Sequence, residues 1–274
     1  MIGSRLIAGD GDKSPISHRG HGSGVLCLHG FSGTPFEIRP LAEALGELGY
    51  AVEAPLLAGH GGSLEDLARS RWPEWLLSAE AALDRLVERT GGRPAAVIGF
   101  SMGGLLALKL ARLRPANVLA LAILSAPLRL RPFQVRTVRF IMGLPRLFRV
   151  GPLGRVPKLA GSDVSDPEMR RRNPCQTALP LSATESVFDL MDLVRPELPQ
   201  IRVPAFVAHG RDDRTVPIDD SFEVAGSLGS DIVETLWLEH SRHLVALDVE
   251  RSMLIDAVAR FLHRHAFPSA GEAI

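Results

Sequence analysis

The run Ala95-Ala96-Val97-Ile98-Gly99-Phe100-Ser101-Met102-Gly103-Gly104 constrains this chain more than any other feature. Its first residues read as a buried strand. A tight turn follows, and a helical pattern over 102–114 begins at once. A serine at such a turn is forced into a strained, exposed position, and the small residues two before and two after it relieve the crowding. The helix behind it aims its positive end and free N–H groups at any oxyanion formed on that side. Gly-x-Ser-x-Gly alone arises by chance in a chain with 26 Gly, so the flanking strand and helix give it meaning. Gly104 adds a fourth small residue where the helix must press on the sheet.

The remaining segments repeat this rhythm. Apolar runs at 25–28, 50–54, 118–124, 205–208 and 233–238 read as strands, and 118–124 is apolar throughout, as in strands covered on both faces. Between them lie helical patterns. One is opened by Thr34-Pro35 as N-cap and first helical residue, one covers 72–90 and one covers 250–265. Strands alternating with helices imply βαβ units, hence an α/β chain with a doubly wound, mostly parallel sheet. Residues 127–200 break the pattern, with many prolines and no convincing strand. A connection that long must carry structure of its own. The expected organisation is therefore a core from 1–126 and 201–274, a mostly helical cap (lid) insertion at 127–200, and a frayed tail at 268–274.

Lys+Arg 31 against Asp+Glu 31 gives zero formal charge, which argues against a nucleic-acid partner. The two cysteines, Cys27 and Cys175, are too few for a disulfide framework and read as reduced thiols. The first residues contain no apolar signal region, and no run approaches the ~18 apolar residues that span a bilayer. A cytoplasmic protein is expected. No cofactor and no metal are expected.

A serine hydroxyl needs a base to take its proton, and the base needs an acceptor to orient it. Of nine histidines, His18 and His21 precede the first core strand, and His263 and His265 end the last helix. His29, His60 and His209 each precede glycine at a strand end or turn, which suits a structural role. His240 and His243 remain, in the loop between the 233–238 strand and the final helix. That loop opens at the carboxyl edge of the sheet, where Ser101 sits. His243 is preferred because Leu244-Val245 can anchor it. The acid should follow another strand at that edge, and Arg211-Asp212-Asp213-Arg214 follows the 205–208 strand. Asp212 is the first choice and Asp213 the alternative. The backbone N–H groups of Met102 and Phe31 are the expected oxyanion donors, with Gly30 letting the chain turn inward.

Leu28-His29-Gly30-Phe31, Gly59-His60-Gly61, Gly99-Phe100-Ser101-Met102-Gly103-Gly104, His209-Gly210-Arg211-Asp212 and Ser241-Arg242-His243 together resemble the bacterial carboxylesterase and monoacylglycerol lipase branch of the α/β hydrolases. The resemblance covers nearly the whole core, in the chain order Ser, Asp, His. It implies an acid in a His-Gly-x-x-Asp pattern, read here as Asp212 in preference to Asp213. It also implies His243 as the base, Phe31 and Met102 as oxyanion donors, and a cap at 127–200. Phe100 departs from the His or Leu expected before the serine, which bears on the floor of the pocket.

The implied activity is hydrolysis of short- to medium-chain acyl esters, monoacylglycerols among them. Thioesterases, acyltransferases, C–C hydrolases and peptidases share the scaffold, and a binding protein that lost catalysis is the remaining class. Epoxide hydrolases and haloalkane dehalogenases need a carboxylate nucleophile, which serine at 101 disfavours.

Within the insertion, Arg129, Arg131, Arg136, Arg139, Arg146, Arg149, Arg155 and Lys158 occur with no acidic residue between 128 and 162, interleaved with apolar side chains such as Phe133, Ile141 and Phe148. A basic amphipathic stretch can lie on an anionic lipid surface. The plainer reading is a cap whose apolar face covers the site while its arginines face water. Both imply an apolar acyl pocket, with Phe188, Leu190 and Met191 among its expected lining. The expected partner is a small ester with an apolar acyl chain.

Overall fold

The computed structural model describes residues 9–20, 22, 24–129, 154–158 and 161–267. Seven strands form one sheet: β1 (Ile16–His18), β2 (Gly24–Leu28), β3 (Ala51–Ala54), β4 (Ala95–Phe100), β5 (Val118–Leu124), β8 (Ala205–Gly210) and β9 (Val233–Leu238). Their spatial order is β1-β3-β2-β4-β5-β8-β9. β1 is antiparallel to β3, and every other pairing is parallel. The chain runs outward from β2 to β3 and then returns to place β4 on the other side of β2. Ligand sites of open parallel sheets form at the carboxyl ends of the strands flanking such a reversal.

The central strands are apolar on both faces because both are covered. β2 and β4 are buried along their whole lengths. On one face α3 (Trp72–Arg89) and α4 (Met102–Leu113) bury Trp75, Leu83, Leu105 and Leu106. On the other, α1 (Arg39–Glu47) and α8 (Arg251–His265) bury Leu41, Leu45, Val258 and Phe261. Thr34 caps a 3-10 turn at Pro35–Ile38 that leads into α1, so the expected start signal operates there. Outside the insertion, β1, the short α2 (Leu64–Arg69), opened by a Ser63–Asp66 capping box, and α7 (Ile218–Ser227) were not expected from the sequence.

Between β5 and β8 the described residues contain β6 (Arg155–Pro157), α5 (Pro167–Arg172), β7 (Ala178–Pro180), α6 (Leu181–Val194) and a 3-10 turn at Arg195–Gln200. β6 and β7 pair antiparallel as a two-stranded sheet of their own. This corrects the expectation of no strand in the insertion. Prolines at both strand ends hid them, since proline is tolerated at the edge of a ladder. α6 is an integral part of the main core. Leu181, Val187, Leu190 and Val194 recur at helical spacing and bury into the cluster formed by α3 and α4. The stretch from 130–153, with Arg131, Arg136, Arg139, Arg146, Arg149, Phe133, Ile141 and Phe148, lies outside the described residues, as does the 268–274 tail. Among the described residues no helix is long and apolar enough to cross a membrane.

Candidate active site

Ser101 ends β4 and caps α4 with φ 53° and ψ −120°. Only a tightly held turn keeps a residue with a side chain in that region. The hold is visible in the backbone: Ser101 N–H donates to Leu124 O at 2.8 Å, and Ser101 O accepts Gly104 N–H at 2.8 Å. The glycines around it are required by close approach. A Cβ on Gly99 would sit 2.1 Å from Gly103 O, and one on Gly103 would sit 2.3 Å from Leu28 O. The turn can therefore bring α4 against β2 only with hydrogen at both positions.

His243 meets this serine as the sequence leads one to expect. Its Nε2 lies 3.0 Å from Ser101 Oγ. Leu244 and Val245 are buried and pin the loop, and Leu244 N–H donates to Asp163 O at 3.1 Å. His240 is exposed and takes no part; its backbone N–H donates to Glu250. The ring of Phe100 lies 5.0 Å from that of His243, so the departure before the serine supplies a wall for the imidazole.

The carboxylate that meets His243 is that of Asp213, not that of Asp212 as expected. Asp213 Oδ2 lies 2.8 Å from His243 Nδ1, and the Asp213 side chain is only 1% exposed. Asp212 is exposed and enters the site through its backbone alone, donating N–H to Ser241 O at 3.1 Å. The turn after β8 sends alternate side chains to opposite sides, and only the second of the two carboxylates faces the histidine loop. The signal was in the sequence: counted from His209, the pattern His-Gly-x-x-Asp ends on Asp213.

Asp213 is saturated with donors. Its Oδ1 accepts Thr215 N–H at 2.7 Å and Val216 N–H at 2.8 Å. Its Oδ2 also lies 2.9 Å from His209 Nε2. Burial opposes ionisation, but the charge and hydrogen bonds of His243 and His209 outweigh it and hold the carboxyl well below the usual carboxylate range. The geometry thus favours the ionised carboxylate.

The loop after β2 supplies the second half of the site. His29 accepts Leu57 N–H at Nε2 (3.1 Å) and contacts Gly30 O through Nδ1 (2.9 Å), which fixes the chain just before Phe31. Gly30 N–H donates to the buried Glu37 carboxylate at 3.1 Å. Burial pushes the Glu37 carboxyl up; Lys158, the Gly30 N–H, His243 and Asn173 pull it down without cancelling that effect. Phe31 packs its ring on Trp75 with centroids 5.7 Å apart. The Met102 N–H stands in the first turn of α4, where no carbonyl of that helix is available to it. The expected donors Phe31 and Met102 thus sit on the two segments that Gly103 brings into contact. Phe188, Leu190 and Met191, expected as pocket lining, are buried in the same apolar cluster as Met102 and Leu128, with Phe31 packed against it.

Glu37 and Asp248 carry no signal in the sequence, and His209 is read there only as a structural histidine. Glu37 accepts the Gly30 N–H, His209 meets Asp213 and Ser221, and Asp248 accepts N–H groups from Ser165 and Arg242.

A doubly wound sheet with a strained serine at its switch point, in line with an aspartate and a histidine from the ends of the last two strands, β8 and β9, defines a serine hydrolase of the α/β-hydrolase fold. The chain belongs to the serine aminopeptidase S33 family of hydrolases, which it matches over residues 19–250. It is similar to a thermostable monoacylglycerol lipase from Bacillus sp. (strain H-257), 31% identical over 243 residues that cover 89% of this chain and 91% of the relative. It is also similar to a carboxylesterase from Bacillus subtilis, 26% identical over 250 residues, 91% of this chain and 96% of that one. A solved structure from work on LipS and LipT, two metagenome-derived lipolytic enzymes, superposes with TM-score 0.84 at 27% identity, covering 94% of this chain and 100% of the other.

Proposed function

We propose that this chain hydrolyses carboxylic esters with apolar, short- to medium-chain acyl groups, monoacylglycerols among them, through an acyl-enzyme on Ser101. The observation that carries the reading is the unbroken line of contacts from Ser101 Oγ through both nitrogens of His243 to Asp213. Ser101 attacks the ester carbonyl while His243 Nε2 takes its proton. Asp213 holds the Nδ1–H tautomer and stabilises the imidazolium. The N–H groups of Phe31 and Met102 receive the oxyanion, and a single such donor is worth roughly 10²–10³ in turnover. His243 then protonates the departing alcohol, and in the second half it activates the water that frees the acid.

The ester class is supported by the relatives' activities and by the apolar cluster that includes Met102 and Leu128 and against which Phe31 packs. We read 127–200 as the cap, with α6 as its anchor in the core. Balanced charge leaves nucleic acid out of the reading. Lipid-surface contact through the basic stretch rests on the residues of 130–153. A cytoplasmic location rests on Cys27 and Cys175, both free and buried.

The test is a chain-length series of chromogenic esters, with matched thioester and peptide arms, for the wild type and Ser101→Ala. Ester turnover should dominate and should fall by roughly 10⁶ in the variant. A comparable rate in Ser101→Ala contradicts the mechanism. A wild type inert toward esters and active on thioesters or peptides contradicts the substrate class.

A further inference from the structure

We propose that His209 is a positioning residue for this reaction: its Nε2–H reaches the Asp213 oxygen that also meets His243, and Ser221 fixes the tautomer that allows it. The proposal rests on the reading of Ser101, His243 and Asp213 as the catalytic line.

His209 lies near the end of β8 and is fully buried. Its Nε2 stands 2.9 Å from Asp213 Oδ2 and 3.2 Å from Val216 O. A carbonyl and an ionised carboxylate can only accept, so Nε2 must carry a proton. Its Nδ1 lies 2.7 Å from Ser221 Oγ on α7, a hydroxyl that can donate. The consistent arrangement is a chain of donors: Ser221 O–H to His209 Nδ1, and His209 Nε2–H shared between Val216 O and Asp213 Oδ2, beside His243 Nδ1–H to that same carboxylate oxygen. Asp213 is the titratable group His209 meets, and His243 is the next beyond it.

The residue after His209 completes the arrangement. A Cβ on Gly210 would lie 2.2 Å from Ser241 O and 2.4 Å from Arg242 O, so glycine there lets the loop carrying His243 close on the end of β8. His209 sets the carboxylate and Gly210 admits the imidazole to it. Two donors sharing Oδ2 also divide its charge. Losing the His209 donor concentrates that charge on His243, favours the imidazolium, and moves the protonation of the base to higher pH.

The experiment compares kcat, KM and the pH profile of kcat/KM on one chromogenic ester for the wild type, His209→Leu and His209→Gln. The leucine fills the space without a donor, and the glutamine Nε2 replaces the lost N–H. His209→Leu should lower kcat roughly tenfold with KM little changed, and its acid limb should move up by about half a pH unit. His209→Gln should restore the wild-type limb. An unmoved limb in His209→Leu, or equal movement in both variants, overturns the proposal.

Imidazole 15N spectra of the wild-type protein keep the test open should His209→Leu fail to fold. The Nε2–H tautomer of His209 should persist across neutral pH, and an Nδ1–H tautomer or an imidazolium overturns it. Full activity in Asp213→Asn would instead sink the catalytic line itself, so the two failures are distinguishable.

Discussion

Asp213 and His243 meet at 2.8 Å across the ends of adjacent parallel strands, and Asp213 comes to that contact with its other oxygen already fastened by two backbone N–H groups. Its orientation is therefore set before the imidazole arrives. Asp213→Asn replaces an acceptor-only oxygen pair with a group that can donate, which favours the wrong imidazole tautomer. kcat should fall about 10⁴-fold. Asp212→Asn, at an exposed neighbour, should stay within about twofold of the wild type by the small effect of surface substitutions. Steady-state kinetics on the pair decides the assignment.

The positive φ of Ser101 predicts a trade between stability and activity. Glycine relieves the strain of a left-handed backbone and alanine does not, so Ser101→Gly should be more stable than Ser101→Ala by about 1 kcal/mol. Both should be inactive. Denaturant midpoints at equal m-value measure the difference, and equal midpoints would show that the turn carries no strain.

Two buried imidazoles give stability a pH dependence of definite sign. Burial, helped for His29 by its neighbour His60, lowers these groups from 6.5 to about 3 and about 4. The unfolded chain takes up their protons near 6.5 while the fold refuses them, so their contribution is complete above 6.5 and is lost progressively as the pH falls toward 4. Glu37 runs the other way, because its raised carboxyl favours the fold once protonated. Melting temperature should drop between pH 7 and 4.5, less steeply in His60→Gln and more steeply in Glu37→Gln. A flat wild-type profile over that range contradicts this account.

Asp248 ties the insertion to the histidine loop. It is fully buried and accepts N–H groups from Ser165, Asp166, Arg242 and Val249 at 2.7–3.0 Å. Asp248→Ala leaves those donors unpaired and should cost about 2–4 kcal/mol. kcat should drop about tenfold as His243 loses its fixed approach to Ser101. Chemical denaturation and kcat, measured together, test the link.

The serine was legible because its signal is local: strand, turn and helix lie within a dozen residues, and each glycine has a steric reason. His243 was legible through Leu244 and Val245, whose apolar character anchors one histidine and not its neighbour. Asp212 and Asp213 could not be separated by composition or periodicity, since adjacent residues in a turn share both. Only the spacing from His209 distinguishes them, and counting that spacing correctly selects Asp213. The 127–200 stretch was legible only as a break in the strand–helix rhythm; α6 within it is amphipathic, and its apolar stripe joins the main core. Glu37 and Asp248 gave no signal of their own, and His209 read only as a structural histidine, because which N–H groups and hydroxyls these side chains meet is set by the packing of strands and loops.

In the proposed reaction Ser101 carries the acyl group between two half-reactions. The most direct measurement is rapid quenching of the enzyme with a slowly deacylated chromogenic ester, followed by intact-mass and peptide analysis. A burst of alcohol close to one per enzyme is expected, with the acyl mass on the peptide containing Ser101 and none in Ser101→Ala. An acyl adduct on another residue, or full turnover by Ser101→Ala, would contradict it.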